Sequence, residues 1–167
     1  MVLKMKTFPK PLEILLVEDN KGDIGLITEF FSDAKIRTNL HIAKDWEEAI
    51  QFLCSEDKFL GSHTPDLIIL DWNLPKKSGL EVLKEIKENN NLKSIPVIIL
   101  TTSGAETDIL RAYALHANAY LIKPIDFDEF VRIIKAIEDF WFQAVTLPPK
   151  SNALKIQDES LEDLSLL

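Results

Sequence analysis

Four stretches of the chain are solidly apolar with no alternation: Leu12-Glu13-Ile14-Leu15-Leu16-Val17 (one glutamate inside), Leu67-Ile68-Ile69-Leu70, Ile95-Pro96-Val97-Ile98-Ile99-Leu100 and Ala119-Tyr120-Leu121-Ile122. Short unbroken apolar runs suit strands buried on both faces, as in a parallel sheet. A shorter strand is predicted near Leu40-His41-Ile42-Ala43. Between the strands the apolar spacing changes to three and four. Ile24, Leu26, Ile27, Phe30 and Phe31 mark a helix over 21–34, and Ala49, Ile50, Phe52 and Leu53 mark a second. Gly79 opens a third with Leu80, Val82, Leu83 and Ile86, a fourth spans Glu106 to His116, and a fifth runs from Asp126 towards Val145. Asp45 with Glu48, and Asp126 with Glu129, have the spacing of capping boxes at helix starts.

A strand followed by a helix, five times over, means an α/β fold with helices on both faces of a parallel sheet. Right-handed crossovers leave few topologies, and for five strands the flavodoxin-like (βα)5 doubly wound order 2-1-3-4-5 is the expectation. In such sheets ligands sit beyond the carboxyl ends of the strands. Four strands end there in reactive groups: Glu18-Asp19, Asp71, Thr101 and Lys123. The topology therefore predicts one cleft holding three carboxylates, a hydroxyl and an ammonium.

Two unit charges ~4 Å apart repel by about 4 kcal/mol at an effective dielectric near 20. One lysine does not offset three such pairs, whereas a divalent cation does. An all-oxygen set calls for a hard ion such as Mg²⁺, which keeps open positions for water and phosphoryl oxygens.

Composition narrows the function. The chain has 167 residues, 46% hydrophobic and 28% charged, enough for one domain with a full core. No apolar run nears the ~20 residues of a membrane span. The first residues carry lysines but no apolar signal core. A single cysteine, Cys54, excludes an intramolecular disulfide and fits a reducing, cytoplasmic compartment. The net charge of −8 argues against nucleic acid or an anionic membrane as partner. His41, His63 and His116 have no ligand spacing and read as structural.

The set of strand-end residues resembles the receiver domain of two-component response regulators over residues 11–145. That family carries an acidic pair after strand 1, Asp after strand 3, Thr or Ser after strand 4 and Lys-Pro after strand 5. The separations of 30 from Asp71 to Thr101 and 52 to Lys123 fit it. The resemblance implies that Asp71 accepts a phosphoryl group from a sensor histidine kinase. Asp19 is then the direct Mg²⁺ ligand, Glu18 the acid beside it, and Asn73 supplies a backbone carbonyl to the metal. Thr101 and Lys123 bond the phosphoryl group, Thr101 and Tyr120 form the switch, and the Lys123–Pro124 peptide is expected cis. Trp72, beside the nucleophile, either packs the loop or shields Asp71. Thr102, bulkier than is usual there, is expected to slow access to the phosphoryl group.

On the fifth helix Phe127, Phe130, Val131, Ile134, Ile137 and Trp141 form a sheet-docking face, leaving Ile133, Phe140 and Phe142 in surplus. Surplus apolar residues on an outer helix point to an interface. The segment 137–148, the stretch 113–121 and the long 55–65 connection are similar to response regulators paired with cyanobacterial-type phytochromes, which implies a homodimer through Phe140, Trp141 and Phe142. The expected organisation is a leader at 1–10, a receiver at 11–147 and a disordered acidic tail at 148–167, too short for a DNA-binding output domain. A stand-alone receiver then signals by protein contact or onward phosphotransfer. Two other readings use the same residues. A phosphorylation-independent docking scaffold would keep the fold without the chemistry. A haloacid-dehalogenase-like phosphatase also has an Asp nucleophile after a strand, but wants a second Asp two residues on, where this chain has Asn73, and a nucleophile near the chain start.

Overall fold

A computed structural model describes residues 10–54 and 64–150; most of the leader, most of the 55–65 connection and the tail from 151 lie outside the described residues. The strands are β1 (Leu12–Val17), β2 (Thr38–Ala43), β3 (Leu67–Leu70), β4 (Val97–Thr101) and β5 (Ala119–Ile122). Between and after them run α1 (Lys21–Ser32), α2 (Trp46–Cys54), α3 (Gly79–Glu88), α4 (Glu106–Ala114) and α5 (Phe127–Ile137). All neighbouring strands are parallel, in the order β2-β1-β3-β4-β5, as the alternation predicts.

The solid apolar strands serve two cores because successive side chains point to opposite faces. Ile14, Leu16, Leu67, Ile69, Ile98 and Leu100 meet Ile27 and Phe31 of α1 and Phe130, Ile134 and Ile137 of α5. Leu15, Val17, Ile68, Leu70, Val97 and Ile99 meet Ala49 of α2, Val82, Leu83 and Ile86 of α3 and Ala112 of α4. The register pairs Val17 with Leu70 and Leu70 with Ile99, so β1 and β3 end level at one edge and β4 runs two residues further, to Thr101.

The helix starts follow local chemistry. The Asp45 and Asp126 carboxylates accept from the amides of Glu48 and Glu129. The Glu48 carboxylate takes the Lys44 amide, one residue before the cap. A further capping box, Ser78 with Glu81, opens α3.

The fifth helix departs from its predicted course. Regular α-helix ends at Ile137, and Glu138–Ala144 continues as a π-helical segment, closed by the Val145 amide donating to the Phe140 carbonyl five residues back. Wider turns shift the inward position. After Phe130, Ile134 and Ile137 the next buried aromatic is Phe142, 7% exposed, with its ring edge-on to Phe31 at 4.9 Å. Phe142 is thus a core residue and is removed from the expected dimer surface. Phe140 stays 53% exposed and Trp141 is half-buried with its ring against Phe140. Phe127, expected on the docking face, is 61% exposed because it starts the helix beyond the edge of the sheet.

The chain leaves the domain along the amino ends of the strands. Pro148, Pro149 and Lys150 lie against Asp66, whose carboxylate accepts the Glu13 amide and pairs with Lys150 at 3.8 Å. No helix among the described residues is long and apolar enough to cross a membrane.

Candidate functional site

The carboxyl ends of these strands bring the reactive residues together as the topology requires. Asp71 extends β3, its amide donating to the Val17 carbonyl. Glu18 extends β1 through the Ala43 carbonyl, and the Lys123 amide bonds the Thr101 carbonyl between β5 and β4. Glu18, Asp71, Thr101 and Lys123 are all buried, while Asp19 is exposed.

Lys123 is the hub. Its ammonium lies 2.5 Å from Glu18 Oε2, 2.9 Å from Asp23 Oδ2 and 3.2 Å from Asp71 Oδ2. Glu18 Oε1 also accepts from the amides of Asp19 and Asn20, which fixes the turn that carries Asp19. Burial lowers the affinity of Lys123 for its proton, but the surrounding carboxylates, Glu18 first, outweigh it and hold the group firmly as an ammonium. Burial, helped by the charge of Asp71, pushes Glu18 up to about 7 against its bonds to Lys123 and Asn20. One ammonium thus faces three carboxylates, which leaves the cluster with excess negative charge.

A divalent cation removes that excess. Glu18, Asp19 and Asp71 each offer a carboxylate oxygen, and these oxygens lie within 4.8 Å of one another. One member is exposed, so an ion has a route in and room for water ligands, as Mg²⁺ prefers. The donor set fits a hard divalent cation of the Mg²⁺ type.

The opposite wall holds the hydroxyl and the aromatic residues. The Asn73 amide donates to Asp71 Oδ1 at 3.1 Å, and its side chain reaches Thr101 Oγ1 at 3.4 Å. The Tyr120 hydroxyl donates to the Ser103 carbonyl at 2.9 Å, tying β5 to the loop after Thr101. Ser103 Oγ bonds Asp108 Oδ2 at 2.6 Å. Trp72 is buried in the core beneath α3, and its ring meets Tyr120 edge-on at 6.4 Å. Of the two readings of Trp72, packing is the one realised.

Two site residues escaped the sequence reading or depart from it. Asp23 was not singled out, although Asn20 caps α1 and thereby places Asp23 on its first turn, facing the strand ends. The Lys123–Pro124 peptide, expected cis, is trans, since no cis bond occurs among the described residues. Trans is the lower-energy form of an X–Pro bond by about 0.5–1 kcal/mol, and in it Lys123 already reaches three carboxylates.

Residues 14–135 match the response regulator receiver domain. The response regulator Rcp1 of Synechocystis sp. is 46% identical over 138 residues, covering 83% of this chain and 94% of Rcp1. A probable methanogenesis regulatory protein, FilR2 of Methanothrix harundinacea, is 38% identical over 131 residues, 78% of this chain and 84% of FilR2. Among solved structures, the Mn²⁺-bound form of Rcp1 aligns with a TM-score of 0.79 at 45% identity, covering 83% of this chain and all of that one. The phosphorylated cyanobacterial phytochrome response regulator RcpA aligns with the same TM-score at 44% identity, covering 84% of this chain and all of that one.

Proposed function

Since this chain belongs to the response regulator receiver family, and so to two-component signalling, we propose that Asp71 is its phosphoacceptor. The observation that carries the assignment is the Lys123 ammonium bonded to Asp71 inside an acidic cluster fit for a cation. A carboxylate oxygen of Asp71 attacks the phosphorus of a phosphohistidine on a sensor kinase. The new O–P bond forms as the P–N bond breaks, and the bonding pair stays with the imidazole, which then takes a proton. Transfer of this kind is chiefly positioning and neutralisation of charge on in-line oxygens. Asp19, Glu18, Asp71 and the Asn73 backbone carbonyl would hold the Mg²⁺, which screens the incoming phosphoryl oxygens.

Lys123 pairs with the phosphoryl group after transfer, and the Thr101 hydroxyl donates to it. Thr101 is tied through Asn73 to Asp71, and the loop after it is held by Tyr120. A shift of Thr101 towards Asp71 therefore strains the Ser103–Tyr120 bond, and the edge contact of Tyr120 with Trp72 passes the change into the core. The chain performs one self-catalysed acceptance and hydrolysis rather than turnover of a free substrate. Acetyl phosphate with Mg²⁺ should add one phosphoryl group, releasing acetate, and hydroxylamine should remove it as from an acyl phosphate. Turnover of a generic phosphomonoester would instead support a phosphatase.

The similarity to RcpA, a phytochrome response regulator, supports a phytochrome-type histidine kinase as donor. The single cysteine fits a reducing cytoplasm, and the net charge of −8 speaks against nucleic acid or an anionic membrane as partner. A homodimer is supported by Phe140 and Trp141, an exposed and a half-buried ring in edge contact at 5.2 Å on the outer segment. Phe140→Glu should convert a dimer to a monomer in multi-angle light scattering with little change in unfolding temperature. A monomeric wild type would remove the interface.

A further inference from the structure

Asp23 stands apart from the strand-end residues. It sits on the first turn of α1, where its amide donates to the N-cap Asn20 Oδ1 at 3.0 Å. An ammonium has three hydrogens. The three bonds of Lys123 go to Glu18, Asp23 and Asp71. Glu18 and Asp71 belong to the acidic cluster that a cation would engage, and Asp23 does not. A metal thus relieves the first two and leaves Asp23 as a standing claim on the lysine. Its side chain is also the most open of the three, with 26% of its surface exposed.

We infer that Asp23 is a positioning residue that holds Lys123 on the α1 side of the cleft and competes with the phosphoryl group for its ammonium. The inference rests on the assignment of Asp71 as phosphoacceptor. Glu18, fixed by two backbone amides, keeps Lys123 in the cleft without help. The charge of Asp23 therefore serves chiefly to weaken the modified state and shorten its life. The side-chain oxygen of an asparagine at this position still accepts from Lys123, and the backbone bond to Asn20 is untouched, so Asp23→Asn removes the charge alone.

The test uses the full chain with Mg²⁺ and beryllofluoride, a phosphoryl mimic, with binding read by calorimetry and Mg²⁺ titrated separately. Asp23→Asn should bind beryllofluoride about two- to fivefold more tightly, the size expected for one partly exposed ion pair. Its Mg²⁺ affinity should stay level or fall, because the site loses a negative charge. Asp23→Glu should restore the wild-type beryllofluoride affinity. A merely structural role predicts weaker binding of both ligands in Asp23→Asn. That outcome, an affinity for beryllofluoride within twofold of wild type, or equal tightening in Asp23→Glu would overturn the inference. A wild-type chain that binds no beryllofluoride would instead overturn the assignment of Asp71.

Discussion

Asp71→Asn should take up no phosphoryl group from acetyl phosphate under conditions that modify the wild-type chain to about one equivalent. Asparagine keeps the shape of the side chain but offers an amide, a far weaker nucleophile, and removes one of the three carboxylates of the cation site. Loss of labelling should not reflect loss of the fold. Lys123 retains Glu18 and Asp23 as partners, and the strained acidic cluster loses one repulsive charge. Without Mg²⁺ the variant should therefore unfold at a temperature equal to or above wild type. With Mg²⁺ the order should reverse, because wild type gains binding energy that the variant largely forgoes. Differential scanning fluorimetry with and without Mg²⁺ reads both signs. Labelling of the variant at another carboxylate would show that the acceptor had been misassigned.

Gly79→Ala should lower stability by about 3 kcal/mol, the upper range for forcing an atom into a packed site. An added Cβ would lie 2.2 Å from the Asp71 carbonyl oxygen and 2.8 Å from the Trp72 Cα, both backbone atoms that cannot rotate away. The α3 start is pinned there from both directions, since the Gly79 amide donates to the Trp72 carbonyl at 2.9 Å. Relief must come from moving α3 or the strand end that carries Asp71. For a domain of this size about 3 kcal/mol corresponds to roughly 10 °C in unfolding temperature. Phosphorylation by acetyl phosphate should fall as well, although no side chain of the cleft has changed. An unfolding temperature within 2 °C of wild type, a change of under about 1 kcal/mol, would show that the approach is looser than the structure has it.

The fold and most of the cleft were legible because they rest on strongly patterned features. Strands buried on both faces leave unbroken apolar runs, and a parallel sheet sends their polar endings to one edge. Glu18, Asp19, Asp71, Thr101 and Lys123 needed nothing further to be brought together. Asp23 was hidden because an acid on a first helical turn has an ordinary explanation at the positive end of the helix dipole. Only the capped turn at Asn20 shows that the same carboxylate also faces Lys123. Phe142 was misplaced for a different reason. An α-helical period extended past Ile137 puts Trp141 inward, whereas the π-helical turns bury Phe142 against Phe31. A change of helical period has no strong sequence signal, so the outer surface of that segment could be read only in part. Trp72 was ambiguous in sequence, because a ring beside the nucleophile can turn over it or away from it. Its burial beneath α3 and its contact with Tyr120 settle the direction.

The central claim is that Asp71, among several neighbouring acids, is the residue modified. Borohydride reduction tests it most directly, because it converts an aspartyl phosphate, and not a free carboxylate, into homoserine. The full chain treated with acetyl phosphate and Mg²⁺, reduced and digested, should show homoserine at position 71 by tandem mass spectrometry, with Asp19, Asp23 and Glu18 unchanged. Homoserine at position 19 or 23, or a reduced residue 71 in the absence of acetyl phosphate, would contradict the account.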